Sequence, residues 1–372
     1  MGKQICTRCV MDNYSDKSII FDKHGHCNYC TDALSRIDNE YFSNDFGRRK
    51  LESIFSRIKN DCKDDKYDCM VGLSGGVDSS YIIYLGFKYN LRMLAVHVDD
   101  GFDTDIATIN VNNLCKKANC DLIIVKPNMD EYKDLTKSLF LARVPGLALV
   151  QDSVLLAALN DTAKKYNMKY LLSGANFSLE SILERSNGTN ICDKTNILAI
   201  HKQFGNVKIN DTRFISFYEK YIYNKYFSKV KKILPLNYID YNLENALNDL
   251  KKFSNYNYYG GKHYESILTR FLQCYYLPKK YGFDKRKSHY SSMIISNQMT
   301  RDEALEELKK PCYINEELKN YDFDFIANYL GMSMEQFDEL LKEEPKQQDD
   351  YKVSFINNFA SIARKFRKYL GN

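Results

Sequence analysis

No stretch of this chain is apolar over the roughly 18 consecutive residues that a membrane span requires. The longest candidate, residues 144–159, is interrupted by Gln151 and Asp152. The first residues also lack the apolar core of a secretory signal, since Lys3 and Arg8 stand where that core would begin. We therefore expect a soluble protein of the cytoplasm that does not enter a membrane.

Charge of one sign is not in large excess either. The 372 residues carry a formal net charge of +5, too little to indicate a nucleic-acid partner by itself. No internal repeat is present, and the one biased tract is the charged stretch 342–352. The length predicts roughly two domains. The ordinary content of hydrophobic residues predicts a core of normal size.

Only two pairs among the eleven cysteines have CxxC spacing, Cys6 with Cys9 and Cys27 with Cys30. In a reducing compartment such pairs bind metals more often than they form disulfides. The separation of the pairs fits a zinc ribbon, in which four thiolates enclose a structural Zn²⁺. Two histidines beside the second pair leave a mixed Cys/His site open, and two unlinked redox pairs are a further alternative.

A loop rich in glycine and serine follows the apolar run 67–73 and precedes a helical pattern. Its residues are Ser74, Gly75, Gly76, Val77, Asp78, Ser79 and Ser80. Glycine lets a backbone approach a phosphate, and a helix N-terminus presents free N–H groups to it. Asp78 is a candidate ligand of a Mg²⁺ that accompanies the phosphate. The loop lacks the Lys-Ser/Thr ending of a Walker A motif. A plain surface turn is the alternative, which the position directly after a strand disfavours.

Strands alternate with helices in the first half of the chain. The predicted strands are 67–73, 92–98, 121–126 and 169–173, and the helices between them are 79–88, 105–118 and 153–166. This alternation is typical of an α/β fold with a parallel sheet. Aromatic-rich helical patterns dominate from Arg213 onward. We expect three domains: a metal module at 1–40, a nucleotide-binding α/β domain at 41–196 and a helical domain at 197–372.

Ligands of parallel sheets bind at the carboxyl ends of the strands. That rule places the glycine loop beside His97, Val98 and Asp99, which end the second strand and are candidate ligand contacts. It also brings in Ser173 and Gly174, which end the fourth strand. For Asp99, turn formation before the next glycine is an equally good interpretation.

The loop resembles the pyrophosphate loop, or PP-loop, of the ATP pyrophosphatases. That superfamily includes GMP synthetase, NAD synthetase, asparagine synthetase and tRNA-thiolating enzymes. The resemblance implies an adenine-nucleotide alpha hydrolase-like fold, cleavage of ATP to AMP and pyrophosphate, and transfer of AMP to a carbonyl oxygen. It also implies the Mg²⁺ at Asp78 and an adenosine that contacts His97, Val98 and Asp99.

An enzyme that releases pyrophosphate needs cations to neutralise the leaving group. Lys262 follows the double glycine of residues 260–261, and we expect that double glycine to open a helix with an anion-accepting N-terminus. Lys285 and Arg286 lie in a second basic stretch and are further candidates. A solvated basic surface is the alternative for this stretch.

The order of the motifs resembles the N-acetyl sugar amidotransferases of bacterial surface-polysaccharide and flagellin-sugar biosynthesis. The motifs are CTRCVMD, CNYC, GLSGGVDSSY, LAVHVDDG, LLSGANF, GGKHYES and PKKYGFDKRKSH, and the likeness runs from Cys6 to about Leu308. It implies that ATP adenylylates the N-acetyl carbonyl of a nucleotide-activated or nonulosonic sugar. Ammonia then displaces AMP and leaves an acetamidino group.

The chain departs from the family pattern in two places. Asp100 and Phe102 stand where the family has Asn and Trp, and residues 144–150 are more apolar than the acidic family counterpart. We expect residues 144–150 to face the acceptor. The identity of the sugar is therefore left open.

A glutaminase with an N-terminal nucleophile needs a cysteine at its mature N-terminus, and this sequence begins Met1-Gly2-Lys3. The family resemblance implies that ammonia comes from separate subunits. These would be similar to the glutaminase and cyclase subunits of imidazole-glycerol phosphate synthase.

Two other functions compete with this hypothesis. One is a tRNA-modifying ligase of the same superfamily, of the thiolating or lysidine-forming type, for which Cys115, Cys120 and Cys192 are candidate catalytic cysteines. The other is a zinc-ribbon interaction protein with an inactive nucleotide fold. The intact Gly75, Gly76 and Asp78 disfavour the second alternative.

Overall fold

The computed structural model describes residues 2–184, 190 and 192–354. The chain divides into two compact units, each built from three segments. The first, which we call the sheet unit, comprises Met1–Val125, Asp161–Ser186 and Lys229–Asn320. The second unit comprises Lys126–Asn160, Asn187–Ser228 and Tyr321–Asn372. The domain boundaries expected from the sequence remain a prediction.

A five-stranded parallel sheet forms the centre of the sheet unit, with the strand order β3-β2-β1-β4-β5. The strands are β1 (Cys69–Gly72), β2 (Met93–Val98), β3 (Asp121–Val125), β4 (Tyr170–Leu172) and β5 (Lys231–Ile233). In the central strand, Val71 pairs with Ala95 of β2 and with Leu172 of β4. The strand order reverses between β1 and β4, so the carboxyl ends of these strands flank the crevice where such sheets bind ligands.

Fifteen α-helices are formed within the described residues. They are α1 (Asn28–Glu40), α2 (Asp45–Asp61), α3 (Val77–Lys88), α4 (Asp105–Ala118), α5 (Met129–Ala142), α6 (Leu149–Lys165), α7 (Phe177–Glu180), α8 (Lys194–Phe204), α9 (Leu243–Ser254), α10 (Ile267–Phe271), α11 (Leu277–Tyr281), α12 (Arg286–Ile295), α13 (Arg301–Lys309), α14 (Glu316–Tyr329) and α15 (Met334–Lys342). Two π-helices (Tyr218–Phe227 and Leu272–Tyr276) and two 3₁₀ turns (Pro235–Tyr238 and Gln348–Asp350) complete the regular structure.

The core of the sheet unit lies between the strands and the helices that cover them. α2 presents Leu51, Phe55 and Ile58 to this core at intervals of one helical turn, and all three are buried. Ile82 and Ile83 of α3 are fully buried in the same cluster. Each such side chain contributes about 1.5–3 kcal/mol of burial free energy. This packing fixes the strand β1 and the helix α3 on either side of the glycine loop.

The four predicted strands and the three helices between them are present, and α4 has the predicted bounds. Two elements were not predicted. β5 begins with two lysines whose side chains are exposed at the edge of the sheet, so it lacks an apolar strand pattern. α5 lies where no helix was expected, and Asn128 caps its N-terminus.

In the second unit, α5 packs against α8, and the ring of Phe140 lies 6.1 Å from that of Phe337. Glu131 of α5 accepts hydrogen bonds from the backbone N–H groups of residues 210–212 and so holds that loop. Residues 144–150 are largely buried within this unit, with Val144 fully inaccessible. Their apolar character is therefore explained by burial, and the expectation that they face the acceptor gains no support.

Two helices of the C-terminal half begin with capping boxes. Thr300 and Glu303 open α13, and Ser333 and Gln336 open α15. Gly331 ends the helical run before Ser333 with a φ of +63°, a conformation that favours glycine. Among the residues that the structure describes, no helix combines the length and the hydropathy of a membrane span.

Candidate functional site

The glycine loop lies at the carboxyl end of β1, directly before α3. No side chain caps the N-terminus of α3 after Gly76, so its first-turn N–H groups form an anion-attracting end. The Ser74 hydroxyl accepts from the Gly76 N–H at 3.2 Å, and the Ser79 hydroxyl accepts from the Ser74 N–H at 3.2 Å. Ser80 is fully buried and donates its N–H to the Gly76 carbonyl. These bonds hold the loop in a fixed shape.

Two glycines make the loop and its surroundings sterically possible. Gly75 has a φ of +82°, and a Cβ there would lie 3.1 Å from the Cβ of Ala107. A Cβ at Gly174, after β4, would lie 2.8 Å from the carbonyl carbon of Asp78. Ser173, the preceding residue, donates its N–H to β5. The chain after β4 therefore meets the first turn of α3 at backbone distance. The roles of Ser173 and Gly174 toward a nucleotide remain predictions.

Two tyrosines from a distant part of the chain bind the loop backbone. The Val77 N–H donates to the hydroxyl of Tyr259 at 3.1 Å. Tyr256 donates its hydroxyl to the Gly75 carbonyl at 2.7 Å. Both belong to residues 256–266, which we call the covering segment. The Tyr259 hydroxyl therefore occupies the Val77 N–H, a donor that an anion would use.

Glu265 of the covering segment also packs on the loop. A Cβ at Gly76 would lie 2.7 Å from Oε1 of Glu265. Its Oε2 is buried and has no hydrogen-bond partner within the described residues. The backbone of this segment is held at the end of β2, because the Thr104 N–H donates to the Glu265 carbonyl and the Ile267 N–H donates to the Phe102 carbonyl.

Asp78 lies in the first turn of α3 and contacts two side chains from outside the helix. Tyr241 donates its hydroxyl to Oδ1, and Nζ of Lys262 lies 3.6 Å from Oδ2. Lys262 also pairs with Glu180 at 3.2 Å. Burial raises the pKa of Asp78, although Lys262 and Tyr241 act in the opposite direction. A partly buried carboxylate of this kind attracts a cation.

Lys285 and Arg286 are neighbours in sequence but have different partners. Nζ of Lys285 lies 3.2 Å from Oε2 of Glu184, whose side chain is only 1% exposed. Arg286 pairs with Asp284 at 2.8 Å and donates to the carbonyl of Lys310 beyond α13. Through these contacts Arg286 holds the beginning of α12 in place. Its predicted role and that of Lys285 at a leaving group remain predictions.

His97 connects the end of β2 to the strand that carries the loop. Its Nδ1 lies 2.8 Å from the Leu73 carbonyl and its Nε2 lies 3.0 Å from the Asp103 carboxylate. Both partners can only accept, so the ring satisfies them when both nitrogens are protonated. Burial lowers the pKa of His97, but Asp103 and Leu73 outweigh it and the pKa is raised. The described contacts give His97 a positioning role.

The residues that follow His97 at the end of β2 have different contacts. Val98 pairs with Val125 of β3, and the Asp99 N–H donates to the Val125 carbonyl. Asp100 is buried and its carboxylate accepts from the Phe102 N–H. Turn formation therefore accounts for Asp100. The roles of Val98 and Asp99 toward an adenosine remain predictions.

The double glycine of the covering segment does not open a helix, contrary to our expectation. Gly260 has a φ of +96°, residues 262–265 form a turn, and α10 begins only after Ser266 caps it. The glycines instead let the chain turn so that Lys262 points toward Asp78. Lys262 therefore lies beside the loop because of a turn and not because of a helix N-terminus, and its role at the leaving group remains a prediction.

Several residues of the site were not predicted. Tyr241, Tyr256, Tyr259, Glu180 and Glu184 contact predicted site residues, but each is distant in sequence from its partner. A further residue of this kind is His289, because the charges of both site lysines act on its ring. Glu180 and Glu184 are four residues apart, a spacing that predicts one helical face, but α7 ends at Glu180 and Glu184 lies beyond it.

The two CxxC pairs form a compact, buried cluster. Sγ of Cys6 lies 3.7 Å from that of Cys30, and Sγ of Cys9 lies 3.6 Å from that of Cys27. All four ligand atoms lie within 4.8 Å of one another. With Zn–S bonds of about 2.3 Å, a tetrahedral site has S–S edges of about 3.8 Å. The cluster therefore fits one metal ion such as Zn²⁺.

The histidines beside the second pair have other environments. Nδ1 of His26 accepts from Arg8 at 2.7 Å, and His24 is exposed. Within the described part of the chain, the four cysteines form the one group of three or more His, Cys, Asp or Glu residues arranged to hold a metal. The four-cysteine interpretation is thus favoured over the mixed one.

The metal module packs on α12. Ser291 accepts from the Val10 N–H, and Nζ of Lys287 contacts the carboxylate of Asp12 at 2.5 Å. Arg301 at the start of α13 donates to the carbonyls of the first CxxC pair. The ordering of the module by a metal would therefore fix the position of α12, the helix that follows Lys285.

A parallel sheet with a glycine loop at its strand reversal, a four-cysteine module before it and helices after it define an α/β protein of the PP-loop type. Residues 265–364 match the family described as "LPS biosynthesis protein WbpG-like, C-terminal domain". The match confirms, for that part of the chain, the family resemblance predicted from its motifs. It begins at Glu265 and includes Lys285, Arg286 and His289.

Two solved structures were also compared with this one. The U34-tRNA thiolase NcsA from Methanococcus maripaludis with its [4Fe-4S] cluster is 14% identical, with a TM-score of 0.33, over 93% of this chain and 91% of that chain. The NMN synthetase from Francisella tularensis is 12% identical, with a TM-score of 0.32, over 81% of this chain and 98% of that chain. We draw no functional argument from scores this low. A comparison with curated proteins found no match.

Proposed function

We propose that this protein is an ATP-dependent amidotransferase of the cytoplasm that acts on an N-acetylated sugar of a bacterial surface polysaccharide. It adenylylates the N-acetyl carbonyl of a nucleotide-activated or nonulosonic sugar and replaces the oxygen with ammonia. The products are an acetamidino sugar, AMP and pyrophosphate.

One observation carries this proposal: the WbpG-like part of the chain is folded onto the glycine loop. Glu265, where the family match begins, packs directly on Gly76. Lys262 lies just before the match and contacts Asp78 of the loop. An anion-attracting loop and a surface-polysaccharide family segment therefore share one site.

The first half-reaction needs a group that holds pyrophosphate as it leaves. An amide oxygen is a poor leaving group, and adenylylation converts it into part of a phosphate ester that can depart. The N-terminus of α3 and the serines of the loop would bind the pyrophosphate. When bound beside Asp78, Mg²⁺ would supply charge stabilisation for the leaving group. The phosphates would complete the coordination shell, since Mg²⁺ sites often use one or two carboxylates.

Cations from the C-terminal part would assist this step. Lys262 is half-buried and faces the loop through Asp78, so it is the better placed of the predicted cations. Lys285 would act from the side of Glu184. Arg286 is committed to Asp284 and to backbone carbonyls, and we assign it no part in the reaction. The adenosine would lie at the end of β2, near Val98 and Asp99.

The second half-reaction requires ammonia and the exclusion of water, because hydrolysis of the adenylylated sugar would regenerate the amide. The tyrosines of the covering segment would shield the loop from water. Ammonia would come from glutaminase and cyclase-like partner subunits.

The decisive assay combines the protein with ATP, Mg²⁺, an ammonium salt and a panel of UDP- and CMP-linked N-acetyl sugars. We expect AMP, pyrophosphate and a sugar whose mass has changed by the exchange of O for NH. Asp78→Asn serves as the inactive control. If no sugar of the panel yields AMP while tRNA does, the amidotransferase proposal is wrong and the tRNA-modifying alternative is favoured.

The positions of the three candidate catalytic cysteines do not support the tRNA-modifying alternative. Cys115 and Cys120 are buried in the core of the sheet unit, and Cys192 is buried in the second unit. A thiolating enzyme needs accessible catalytic cysteines.

A further inference from the structure

The site contains a histidine that the steps above do not use. His289 lies on α12, one helical turn after Lys285, and its backbone N–H donates to the Lys285 carbonyl. Side chains four residues apart in a helix lie on the same face. Its ring is therefore on the side of the helix that Lys285 occupies.

A chain of contacts links this ring to the glycine loop. Nδ1 of His289 lies 3.0 Å from the carbonyl of Leu179. The next residue, Glu180, pairs with Lys262, which lies 3.6 Å from Asp78 of the loop. The imidazole thus belongs to the same group of side chains as the candidate pyrophosphate cations.

The bond to Leu179 determines which nitrogen of His289 carries the proton. A carbonyl can only accept, so Nδ1 is the protonated nitrogen and Nε2 keeps a lone pair. No described residue forms a hydrogen bond to Nε2. His289 as a residue is half-buried on α12. This leaves an oriented basic nitrogen that has no hydrogen-bond partner among the described residues.

The surroundings keep the imidazole neutral. Burial lowers the pKa of His289 well below its ordinary value, and the charges of Lys262, His263 and Lys285 lower it further. The Leu179 carbonyl acts in the opposite direction. At physiological pH the imidazole is therefore neutral, and its Nε2 lone pair can accept a proton as a weak base.

Several charged groups on the elements packed against α12 have partners of their own. α1, α7 and α13 contact this helix. Arg36 of α1 pairs with Asp32 and Glu40, and Arg301 of α13 donates to carbonyls of the metal module. On the side of α7, Glu180 pairs with Lys262.

We propose that His289 is the general base for the amination step, a role that rests on the function proposed above. The nitrogen of ammonia attacks the adenylylated N-acetyl carbon, and the C–N bond forms. Nε2 of His289 takes one proton from the positively charged attacking nitrogen. The C–O bond to AMP then breaks, AMP leaves with the electron pair, and the sugar is left with an amidinium group. No oxidant or reductant is required.

The variant that tests this role is His289→Asn. An asparagine amide can still donate to the Leu179 carbonyl, but it has no basic nitrogen. We expect sugar-dependent exchange of labelled pyrophosphate into ATP to be retained, because adenylylation does not use this base. Amidine formation should fall about 10²–10⁴-fold, the usual contribution of a general base. Tyr290→Phe, at the next position, is the matched control and should keep both activities.

Two further readouts separate catalysis from positioning. Added imidazole should partly restore amidine formation by His289→Asn. In the wild-type enzyme, amidine formation compared at a constant concentration of free NH3 should persist below the ordinary histidine pKa of about 6.5 and fall only when the lowered pKa of His289 is reached. The variant should lack that fall.

The outcomes distinguish this inference from the proposed function. A wild-type protein without pyrophosphate exchange for any N-acetyl sugar overturns the proposed function. A wild-type protein with exchange, together with a His289→Asn variant that forms amidine at the normal rate, overturns only the role of His289. Equal loss of exchange and amidine formation in that variant, without rescue by imidazole, also overturns it.

Discussion

At the scale of single residues, the site contains side chains whose burial lowers the stability of the fold. Other side chains contact them and hold them in place. Asp78 is the clearest case, since burial raises the pKa of its carboxyl while Lys262 and Tyr241 oppose the shift. The tyrosine stays protonated, because burial raises its own pKa well above the ordinary value. Such arrangements are typical of functional sites.

Replacing Asp78 should therefore separate activity from stability. For Asp78→Asn we expect at least about 10²-fold slower pyrophosphate release, the usual cost of losing one electrostatic contact at a leaving group. Stability should rise at neutral pH. The raised pKa means that the folded state binds the proton more tightly, so stability from this group is lost as pH rises through that pKa.

The measurement is thermal unfolding of both proteins across the acid-to-neutral range, with pyrophosphate release assayed in parallel. Asp105→Asn is the control, because Asp105 is an exposed first-turn residue of α4. A variant that is less stable than the wild type at neutral pH, or equally active, would contradict this account of Asp78.

At the scale of elements, sequence patterns predicted the framework of the site better than its contacts. The loop, the adjoining strands and the four cysteines have local signatures, since glycine turns, apolar runs and CxxC pairs each lie within a few residues. Tyr241 and Tyr259 lack such a signature because they reach the loop from over 160 positions away. The charged edge strand β5 was missed because exposure removed its apolar pattern.

The covering segment leads to a prediction about nucleotide binding. The hydroxyl of Tyr259 occupies the Val77 N–H, so Tyr259→Phe should free this donor and tighten the binding of ATP. The dissociation constant of a non-hydrolysable ATP analogue, measured by calorimetry, checks this result. Tyr258→Phe is the matched control because Tyr258 is exposed. Weaker binding by Tyr259→Phe would show that the hydroxyl supports nucleotide binding.

The metal module leads to a second prediction at this scale. Cys9→Ser should abolish stoichiometric zinc and destabilise the module together with α12, which it contacts through Lys287 and Ser291. Structural zinc contributes about 10–16 kcal/mol of apparent binding energy in isolated fingers. Zinc analysis and limited proteolysis check the result. The control is Cys274→Ser, which lies outside both CxxC pairs and should keep one zinc per chain. An unchanged zinc content in Cys9→Ser would contradict a four-cysteine zinc site.

At the scale of the whole molecule, the chain forms two units whose segments alternate along the sequence. No low-complexity tract or predicted linker marks these boundaries in the sequence, so sequence patterns did not reveal the alternation. Each unit has its own stabilising contacts. In the second unit, Glu131 is a central one because it accepts several backbone N–H groups from residues 210–212.

The second unit should accordingly lose stability in acid. Burial acts to raise the pKa of Glu131, but the hydrogen bonds from Thr212 and its neighbours outweigh it and lower the pKa to about 2. Its contribution is therefore full above the unfolded-state pKa and is lost as pH falls toward about 2. Glu131→Gln should be less stable than the wild type at neutral pH, with a difference that shrinks in acid. Unfolding curves at several pH values check this, and a constant difference would contradict it.

The central claim concerns the whole molecule: the N-acetyl oxygen leaves the sugar as part of AMP. An acceptor sugar labelled with ¹⁸O in its N-acetyl carbonyl tests the claim directly when it is incubated with ATP, Mg²⁺ and ammonia. Mass spectrometry of the nucleotide product should show AMP that carries the ¹⁸O atom, together with an amidino sugar that has lost it. Unlabelled AMP formed alongside an aminated product would contradict adenylylation of the carbonyl oxygen.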